Sequence, residues 1–419
     1  MILLGLITLL LALLGTPLFI IIAANAIMHL YFSDLDLSLT MIEFYRLASM
    51  PMLLPIPLFT FAGYIMAQSG TPRRLVRLSH AAFGWIPGGL ALVCLIACAL
   101  FTAFTGASGV TIVALGGLLF PALVSESFGG KFSLGLITTS GSLGLLFPPS
   151  LPIILYGVIA GTSVDELFIG GILPGCLMIG LLALLCMVYA RKRNIPRQTF
   201  SFQELFKAIV AARYEIPLPI IVIAGIYSGK FAISEAAALT TFLVVLVEVF
   251  LYRDVALKDL PNIIQRSMIL VGSVMIIMGC SLAYTNYLLD AEVPIKILDS
   301  IKGHITSPLA FLICLNMFLL IVGCMLDIFS AIIVVVPLIT PIASSYGIDP
   351  VHLGILFLAN LNIGYLTPPV GMNLFISSIR FKQPVIYVYR ATLPFLIILL
   401  LSLVLITYIP GISLMLLDR

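Results

Sequence analysis

Two short segments of this chain place paired prolines inside long apolar stretches. They read GLLFPPS at 144–150 and GYLTPPV at 364–370. Each proline pair removes two backbone donors, so a helix must break or begin there. In a bilayer, the carbonyl groups freed by such a break must be buried in protein or line a polar cavity. The two segments therefore predict broken helices rich in oxygen ligands, which indicates the binding site of a transporter.

Hydroxyl-bearing and small side chains gather near the first break. The segments FTAFTGASGV (101–110) and TTSGSLGLLFPPS (138–150) contain Ser, Thr and Gly in apolar surroundings. One interpretation is close packing between helices, for which small residues are common in membranes. If the segments meet, their hydroxyl and carbonyl oxygens instead predict a sodium site. Neither segment has the titratable side chain that proton coupling would need.

The second break is accompanied by an acid. Asp327 lies within the apolar run 318–337, where a lone carboxylate costs about 2.5–3.5 kcal/mol on insertion scales. It should therefore face a cavity, an ion or a polar partner; the alternative is a buried acid satisfied by hydroxyls and backbone amides. The segment NLNIGYLTPPVG (360–371) adds Asn360, Asn362 and Thr367. Half-helices that begin at the breaks would point partial positive charge inward, which favours an anionic solute.

These segments lie in a chain that cannot fold in water. Of its 419 residues, 61% are hydrophobic and only 9% are charged, and its mean hydropathy is +1.22. A soluble domain has about 25% charged residues, so we predict one polytopic helical membrane domain. The first segment, Ile2 to Ala26, lacks a basic n-region and is predicted to be a retained span. Basic clusters at 73–77 and 191–197 predict cytoplasmic anchors, not a nucleic-acid surface. The seven cysteines and four histidines predict packing and structural roles rather than metal binding.

An offset of 220 residues aligns the two halves. It superimposes Pro148-Pro149 on Pro368-Pro369, Gly144 on Gly364, and Ala107 on Asp327. We predict a duplicated unit, with repeat one at about 40–198 and repeat two at about 268–419, in the inverted arrangement common among transporters with broken helices. The segment between them, about 199–267, is predicted to hold short amphipathic helices at the membrane interface, over 199–213 and 255–267. Ser201 and Glu204 form the capping box of the first. The alternative is a pair of ordinary cytoplasmic loops.

Four motifs in a fixed order carry a family resemblance. The runs FTAFTGASG, GSLGLLFPPSLPIILYG, GIYSGKFAISEAAALT and NIGYLTPPVGMNLF resemble the large membrane subunit of tripartite ATP-independent periplasmic (TRAP) transporters. The resemblance implies an all-α membrane protein with two inverted repeats, each with a re-entrant hairpin and a broken helix. It also implies an elevator-type transport domain that moves against a scaffold with interfacial arm helices.

The resemblance further implies a function. The chain is expected to be a secondary importer in a bacterial inner membrane, with sodium as the coupling ion. It is not expected to be an enzyme. Its solute would be a carboxylate such as a four-carbon dicarboxylate, a keto acid, a sugar acid or a sialic acid. The expected partners are a periplasmic substrate-binding protein and a separate small four-helix membrane subunit, since the first span leads directly into repeat one. The alternatives are a stand-alone carboxylate carrier of the same superfamily, an intramembrane enzyme, and a structural membrane subunit.

Site residues follow from the same resemblance, which places the hairpin tips at Thr105–Ser108 and Gly323–Asp327. Many relatives read Ser-Gly-Ser-Ser where this chain has Thr-Gly-Ala-Ser, so Ala107 lacks a hydroxyl present in the family pattern. The residues implied for substrate are Ser142, Asn360, Asn362 and Asp327. Those implied for a first sodium ion are Thr105, Ala107, Ser108, Gly144, Phe147 and Pro149. Those implied for a second are Gly323, Asp327, Gly364, Thr367 and Val370.

Overall fold

The protein is helical throughout the part of the chain that the structure describes. This computed structural model covers residues 18–32, 36–50, 53–195, 199–228, 230–290 and 307–417, with a few isolated positions between them. Seven of its helices are long and apolar enough to cross a membrane, or eight if one bent pair counts as a single span. The predicted multi-pass membrane fold is thus confirmed. Residues 2–15 and 17 of the predicted first span lie outside the described ranges.

The described helices are numbered here in chain order. In the first half they are α1 (Leu18–Phe32), α2 (Ser38–Ala48), α3 (Pro55–Gln68), α4 (Thr71–Phe83), α5 (Gly89–Thr105), α6 (Ser108–Ser125), α7 (Gly130–Ser140), α8 (Leu151–Ala160) and α9 (Val164–Lys192). In the middle segment they are α10 (Phe202–Ala211), α11 (Pro217–Tyr227) and α12 (Ile233–Val245). In the second half they are α13 (Leu260–Asp290), α14 (Pro308–Met325), α15 (Ile328–Ser345), α16 (Pro350–Gly364), α17 (Met372–Phe381), α18 (Val385–Tyr408) and α19 (Gly411–Leu414).

The same series of elements occurs twice. Helices α5 and α6 form a hairpin, α7 and α8 form a helix broken at the first proline pair, and α9 is a long span. Helices α14 to α18 repeat this order. Ser108 and Ile328, which start α6 and α15, are 220 positions apart, and so are Gly130 and Pro350, which start α7 and α16. The 220-residue offset read from the prolines therefore relates whole structural elements.

The two hairpins have their bases at opposite ends of α9. The Tyr189 hydroxyl, near the C-terminus of α9, donates to the carbonyl of Phe128, just beyond the hairpin α5–α6, at 3.0 Å. Gly170, near the N-terminus of α9, packs against Val351, just beyond the hairpin α14–α15. Because α9 is 29 residues long, these contacts lie far apart along its axis. The two hairpins therefore contact opposite ends of the same span.

One of the two short amphipathic segments predicted at the membrane interface forms a short helix of its own. Helix α10 covers 202–211, and Ser201 Oγ accepts the N–H of Glu204 at 3.3 Å, which is one of the two bonds of the predicted capping box. The other prediction was wrong: residues 260–267 are the first turns of α13, which continues to Asp290. Pro261 lies in the first turn of α13, where a backbone N–H has no acceptor within the helix. The proline therefore costs no hydrogen bond there and does not interrupt the helix. The predicted boundary at 267/268 therefore falls inside one continuous helix.

A buried ion cluster joins α4 to the middle segment. Arg74 lies 2.8 Å from Glu248 and 2.6 Å from Asp254, and its Nε contacts Glu215. The side chains of Glu215 and Glu248 are each only 1% exposed. Burial lowers the pKa of Arg74, but the carboxylates outweigh this effect and raise it above its ordinary value. Burial and the neighbouring Glu215 raise the pKa of Tyr252 to about 12, so its phenol stays protonated and donates to the carbonyl of Ala211 at 2.7 Å.

Candidate functional site

Each broken helix packs against the hairpin of its own half through a glycine. A Cβ atom on Gly144 would lie 2.5 Å from the backbone N of Ala103, in the last turn of α5. A Cβ atom on Gly364 would lie 2.6 Å from the Cα of Gly323, in the last turn of α14. Ala103 and Gly323 are themselves 220 positions apart. Both predicted sodium sites therefore bring a hairpin tip and a break into backbone contact.

The first predicted sodium site contains a buried oxygen without a partner. Thr105 is 0% exposed, and its Oγ1 has no hydrogen-bond partner among the described residues. It ends α5, where the last carbonyls of a helix carry partial negative charge. The turn at Gly106 is left-handed (φ +63°) and packs on Leu151, the first residue of α8. One predicted ligand of this site, Thr105, thus lies at a helix C-terminus, which favours a cation, whereas Ala107 and Ser108 lie at the N-terminus of α6.

In the second predicted site, carbonyl oxygens already accept hydrogen bonds from other residues of the site. The carbonyl of Gly364 accepts both the N–H of Thr367 at 3.0 Å and its hydroxyl at 2.8 Å. The carbonyl of Cys324 accepts the N–H of Gly371 at 3.0 Å, which ties the tip of α14 to the end of the break. Val370 is 41% exposed. The oxygens of this site are therefore more fully engaged than Thr105 Oγ1.

A cavity of about 340 Å³ lies between the two hairpin tips. Pairs of equivalent residues line it: Ala107 with Asp327, Ser108 with Ile328, Gly109 with Phe329, and Leu145 with Tyr365. Each pair is 220 positions apart. Met372 and Ile376 of α17 and one face of α13 (Leu270, Ser273, Val274 and Ile277) complete the wall. The cavity therefore lies where the two repeats meet, and its size suits a small organic molecule.

The two helices that begin at this cavity are capped differently. At α15, Asp327 Oδ1 accepts the N–H groups of Phe329 (3.0 Å) and Ser330 (3.1 Å), and Tyr365 Oη accepts that of Ile328 at 2.6 Å. At α6 the equivalent positions are Ala107 and Leu145, whose side chains have no oxygen. The first amides of α6 thus lack both acceptors that cap α15. Asp327 therefore both caps α15 and lines the cavity.

Three of the residues predicted to bind substrate lie outside this wall. Ser142, Asn360 and Asn362 are each 0% exposed, and the cavity is lined by other side chains. The Asn360 amide donates to Asn316 Oδ1 at 2.7 Å and to the carbonyl of Leu356 at 2.8 Å. Both polar atoms of Asn362 are buried without a partner in the described part of the chain. Only Asp327 of the predicted substrate set lines the cavity.

Sequence reasoning missed a polar seam that joins the two breaks. Asn373, just after the second break, donates to Ser142 Oγ at 3.2 Å and to the carbonyl of Thr138 at 3.3 Å. Thr138 Oγ1 in turn donates to Ser377 Oγ at 2.8 Å. Asn373 and Ser377 stand four residues apart in an otherwise apolar stretch, and this spacing was the available signal. The seam explains why Ser142 faces the neighbouring repeat.

The comparison with protein families decides the class of protein. Residues 4–412 match the model of the tripartite ATP-independent periplasmic transporter, DctM component. The chain belongs to this transporter family. It is therefore a large permease of the TRAP type, a membrane transport protein and not an enzyme, as the four motifs predicted.

Individual relatives agree with this assignment. This permease is 35% identical over 392 residues to the C4-dicarboxylate TRAP transporter large permease protein DctM of Pseudomonas aeruginosa, covering 93% of this chain and 92% of that one. It is 33% identical over 412 residues to the ectoine TRAP transporter large permease protein TeaC of Halomonas elongata, covering 97% and 96%. It is also 33% identical over 373 residues to the isethionate TRAP transporter permease protein DctMQ of Oleidesulfovibrio alaskensis, covering 88% of this chain and 59% of that one.

A solved structure shares the fold of this permease. The YdaH transporter of Alcanivorax borkumensis superimposes with a TM-score of 0.61 and covers 90% of this chain and 88% of that one. The two sequences are only 13% identical. This likeness concerns the architecture alone.

Proposed function

We propose that this permease imports a carboxylate-bearing organic acid in symport with sodium, across the inner membrane of a bacterium. The single observation that carries the proposal is the cavity between the hairpin tips, in which α6 begins without a cap. A carboxylate placed there would accept the first amides of α6, which have no side-chain acceptor of their own. Asp327 and Tyr365 already occupy the corresponding place at α15, so the solute anion binds on the α6 side.

The substrates of the relatives indicate the chemical class of the solute of this permease but not the individual compound. The relatives are named for C4-dicarboxylates, ectoine and isethionate, all small enough for a cavity of this volume. A C4-dicarboxylate fits the uncapped helix terminus best. Sodium is proposed as the coupling ion because Thr105 Oγ1 and the last carbonyls of α5 are hard, uncharged oxygens of the kind that binds this cation.

The proposed movement is of the elevator type. The cavity is bounded by both hairpin tips and by α17 on one side, and by a face of the long helix α13 on the other. In the proposal, the hairpins and broken helices move together along α13. A periplasmic binding protein delivers the solute, and a small four-helix subunit extends the scaffold.

Uptake into proteoliposomes tests the whole proposal. The permease, reconstituted with a TRAP-type small subunit and a periplasmic binding protein, should accumulate labelled C4-dicarboxylate only when an inward sodium gradient is imposed. A potassium gradient of the same size is the control. Equal uptake by the permease alone would favour the stand-alone carrier, and uptake independent of sodium would contradict the coupling.

A first prediction concerns the unpartnered hydroxyl of Thr105. Thr105→Val keeps the shape of the side chain and removes an oxygen that forms no bond, so the free energy of unfolding should stay within about 1 kcal/mol of the wild type. The sodium concentration for half-maximal uptake should rise about tenfold, because a proposed ligand is lost. Both quantities are measured, by unfolding in detergent and by sodium titration of uptake.

Thr102→Val is the matched control for this prediction. Thr102 Oγ1 lies 2.7 Å from Thr111 Oγ1 and donates to the carbonyl of Gly141 at 2.8 Å. Its loss should destabilise the fold by about 1–3 kcal/mol. If Thr105→Val showed the same loss of stability and an unchanged sodium dependence, the hydroxyl would be structural and the first sodium site would be wrong.

A second prediction separates the two roles of Asp327. Asp327→Ala removes the cap of α15 and the charge, whereas Asp327→Asn retains an N-cap residue and removes the charge alone. If the carboxylate balances a sodium ion at the second tip, both variants should lower uptake at least about tenfold. Near-normal uptake by Asp327→Asn would show that the acid serves only as a helix cap. Sodium-dependent uptake and thermal stability are the two measurements.

A further inference from the structure

A second cavity follows the one between the hairpin tips, in the groove between α13 and α15. The cavity between the tips is lined by Ile277 of α13 and Phe329 of α15, among other residues. The second cavity has a volume of about 300 Å³ and begins one turn further along both helices. Its wall includes Ser281 and Thr285 of α13, and Ile333, Pro337 and Thr340 of α15. Both cavities therefore lie in one groove, along which α13 and α15 run in the same direction.

A hydrogen bond crosses this groove at the second cavity. Ser281 Oγ donates to the carbonyl of Ile333 at 3.1 Å, and Ser281 is only 3% exposed. The Ile333 carbonyl lacks its ordinary helical donor, because residue 337, four positions later, is a proline without an N–H. The serine of α13 therefore supplies the donor that α15 itself lacks.

The equivalent place in the first repeat is arranged differently. Val113 and Gly117 of α6 stand 220 positions before Ile333 and Pro337. Gly117 has an N–H group, so the Val113 carbonyl has its ordinary donor within α6. Arg380 Nε, from α17, also donates to the Val113 carbonyl at 3.3 Å. In the elevator proposal α17 moves together with α6, whereas the donor to Ile333 belongs to the other side of the groove.

We propose that the bond between Ser281 and Ile333 holds the permease in the conformation described here and breaks in each transport cycle. This inference rests on the proposed elevator movement, in which the hairpins travel along α13. Apolar contacts across the groove are not directional, so they can form again with new partners along α13. The hydrogen bond joins one serine to one carbonyl, and a buried carbonyl without a donor is unfavourable. The bond therefore regulates how much of the permease occupies this conformation.

Cross-linking across the second cavity measures how much of the permease is in this conformation. Thr285→Cys and Thr340→Cys place one thiol on each side of the cavity, in the full chain with the exposed Cys176 and Cys314 replaced by alanine. A short bismaleimide joins the two thiols rapidly only in the present arrangement, since a shift of two helical turns displaces them by about 11 Å. The measured quantity is the ratio of rapidly to slowly cross-linked permease in proteoliposomes, with and without sodium and C4-dicarboxylate.

Matched variants assign the effect to this bond. Ser281→Ala should lower the ratio about threefold to tenfold, as expected for the loss of one hydrogen bond, whereas Ser281→Thr retains a hydroxyl and should stay near the wild type. Pro337→Ala gives the Ile333 carbonyl a helical donor, so adding Ser281→Ala to it should change the ratio by less than about twofold. Ser267→Ala is the control and should leave the ratio unchanged, because Ser267 is also buried in α13 but donates to the carbonyl of Ile263 in its own helix at 2.9 Å.

The experiment separates a failure of this inference from a failure of the elevator proposal. If the wild type and every variant were cross-linked completely at one rate, with or without sodium and solute, α15 would not travel along α13 and both proposals would be wrong. If two populations were present but Ser281→Ala left their ratio unchanged, or Ser267→Ala changed it equally, the movement would stand and the bond would be ordinary packing. An undiminished effect of Ser281→Ala in the Pro337→Ala background would show that the Ile333 carbonyl is not involved, which also overturns the inference.

Discussion

Ala107→Asp should abolish solute uptake while the permease remains folded. The new carboxylate would occupy the N-terminus of α6 as Asp327 occupies that of α15. Two like charges about 4 Å apart repel by about 4 kcal/mol in a partly polar environment, which lowers affinity by roughly 10²–10³-fold. As a helix cap, however, the same carboxylate stabilises α6 by about 1 kcal/mol. The expected result is therefore a loss of transport together with equal or greater thermal stability.

Binding and transport are measured separately for this variant. Solute binding is followed as the rise in unfolding temperature of the purified permease on adding C4-dicarboxylate, and transport as sodium-driven uptake. Ala107→Ser is the control, since a hydroxyl restores the residue of the family pattern without a charge. Normal uptake by Ala107→Asp would place the anion away from α6 and contradict the proposed binding mode.

Arg74→Met should cause a large loss of stability, because it removes the only cation of the ion cluster between α4 and the middle segment that is described here. Arg74 is paired with Glu215 and Glu248, whose side chains are 1% exposed, and with Asp254. Removing the cation leaves buried carboxylates without a counter-charge, which typically costs about 3–5 kcal/mol. The Arg74 guanidinium also lies 4.0 Å from the centre of the Tyr252 ring, and this contact is lost as well. Denaturant unfolding in detergent measures the difference.

A second substitution distinguishes charge from packing at this cluster. Glu248→Gln in the Arg74→Met background neutralises one of the unpaired carboxylates and should restore part of the stability. If the double variant were no more stable than Arg74→Met, lost packing rather than buried charge would explain the effect. Arg73→Met, on the exposed side of α4, should change the free energy of unfolding by less than about 0.5 kcal/mol.

Local sequence signals determined the class of the protein and the outline of its fold. Low charge and high apolar content require a membrane environment, and a proline pair must interrupt a helix wherever it occurs. These effects act over a few residues, so the two breaks and the 220-residue offset could be read directly. The N-cap at Ser201 is equally local, and the structure shows this half of the predicted capping box. The continuous α13 was missed because its first turns are amphipathic and only the residues that follow are apolar.

Only the tertiary structure decided which polar residues share a site. The directions of Ser142, Asn360 and Asn362 depend on how α16 packs between α14, α9 and the first break, where every residue of α16 from Val351 to Gly364 is buried. A residue and its neighbour two positions along a helix face different partners, so nearness in sequence could not separate the cavity from the polar seam. Helix capping at the tips, in contrast, follows from residue type once the tips are placed together. The sequence alone thus determined that Asp327 and Ala107 are equivalent and that only Asp327 can cap its helix with a side chain. The packing of the two repeats decided that both helix termini line one cavity.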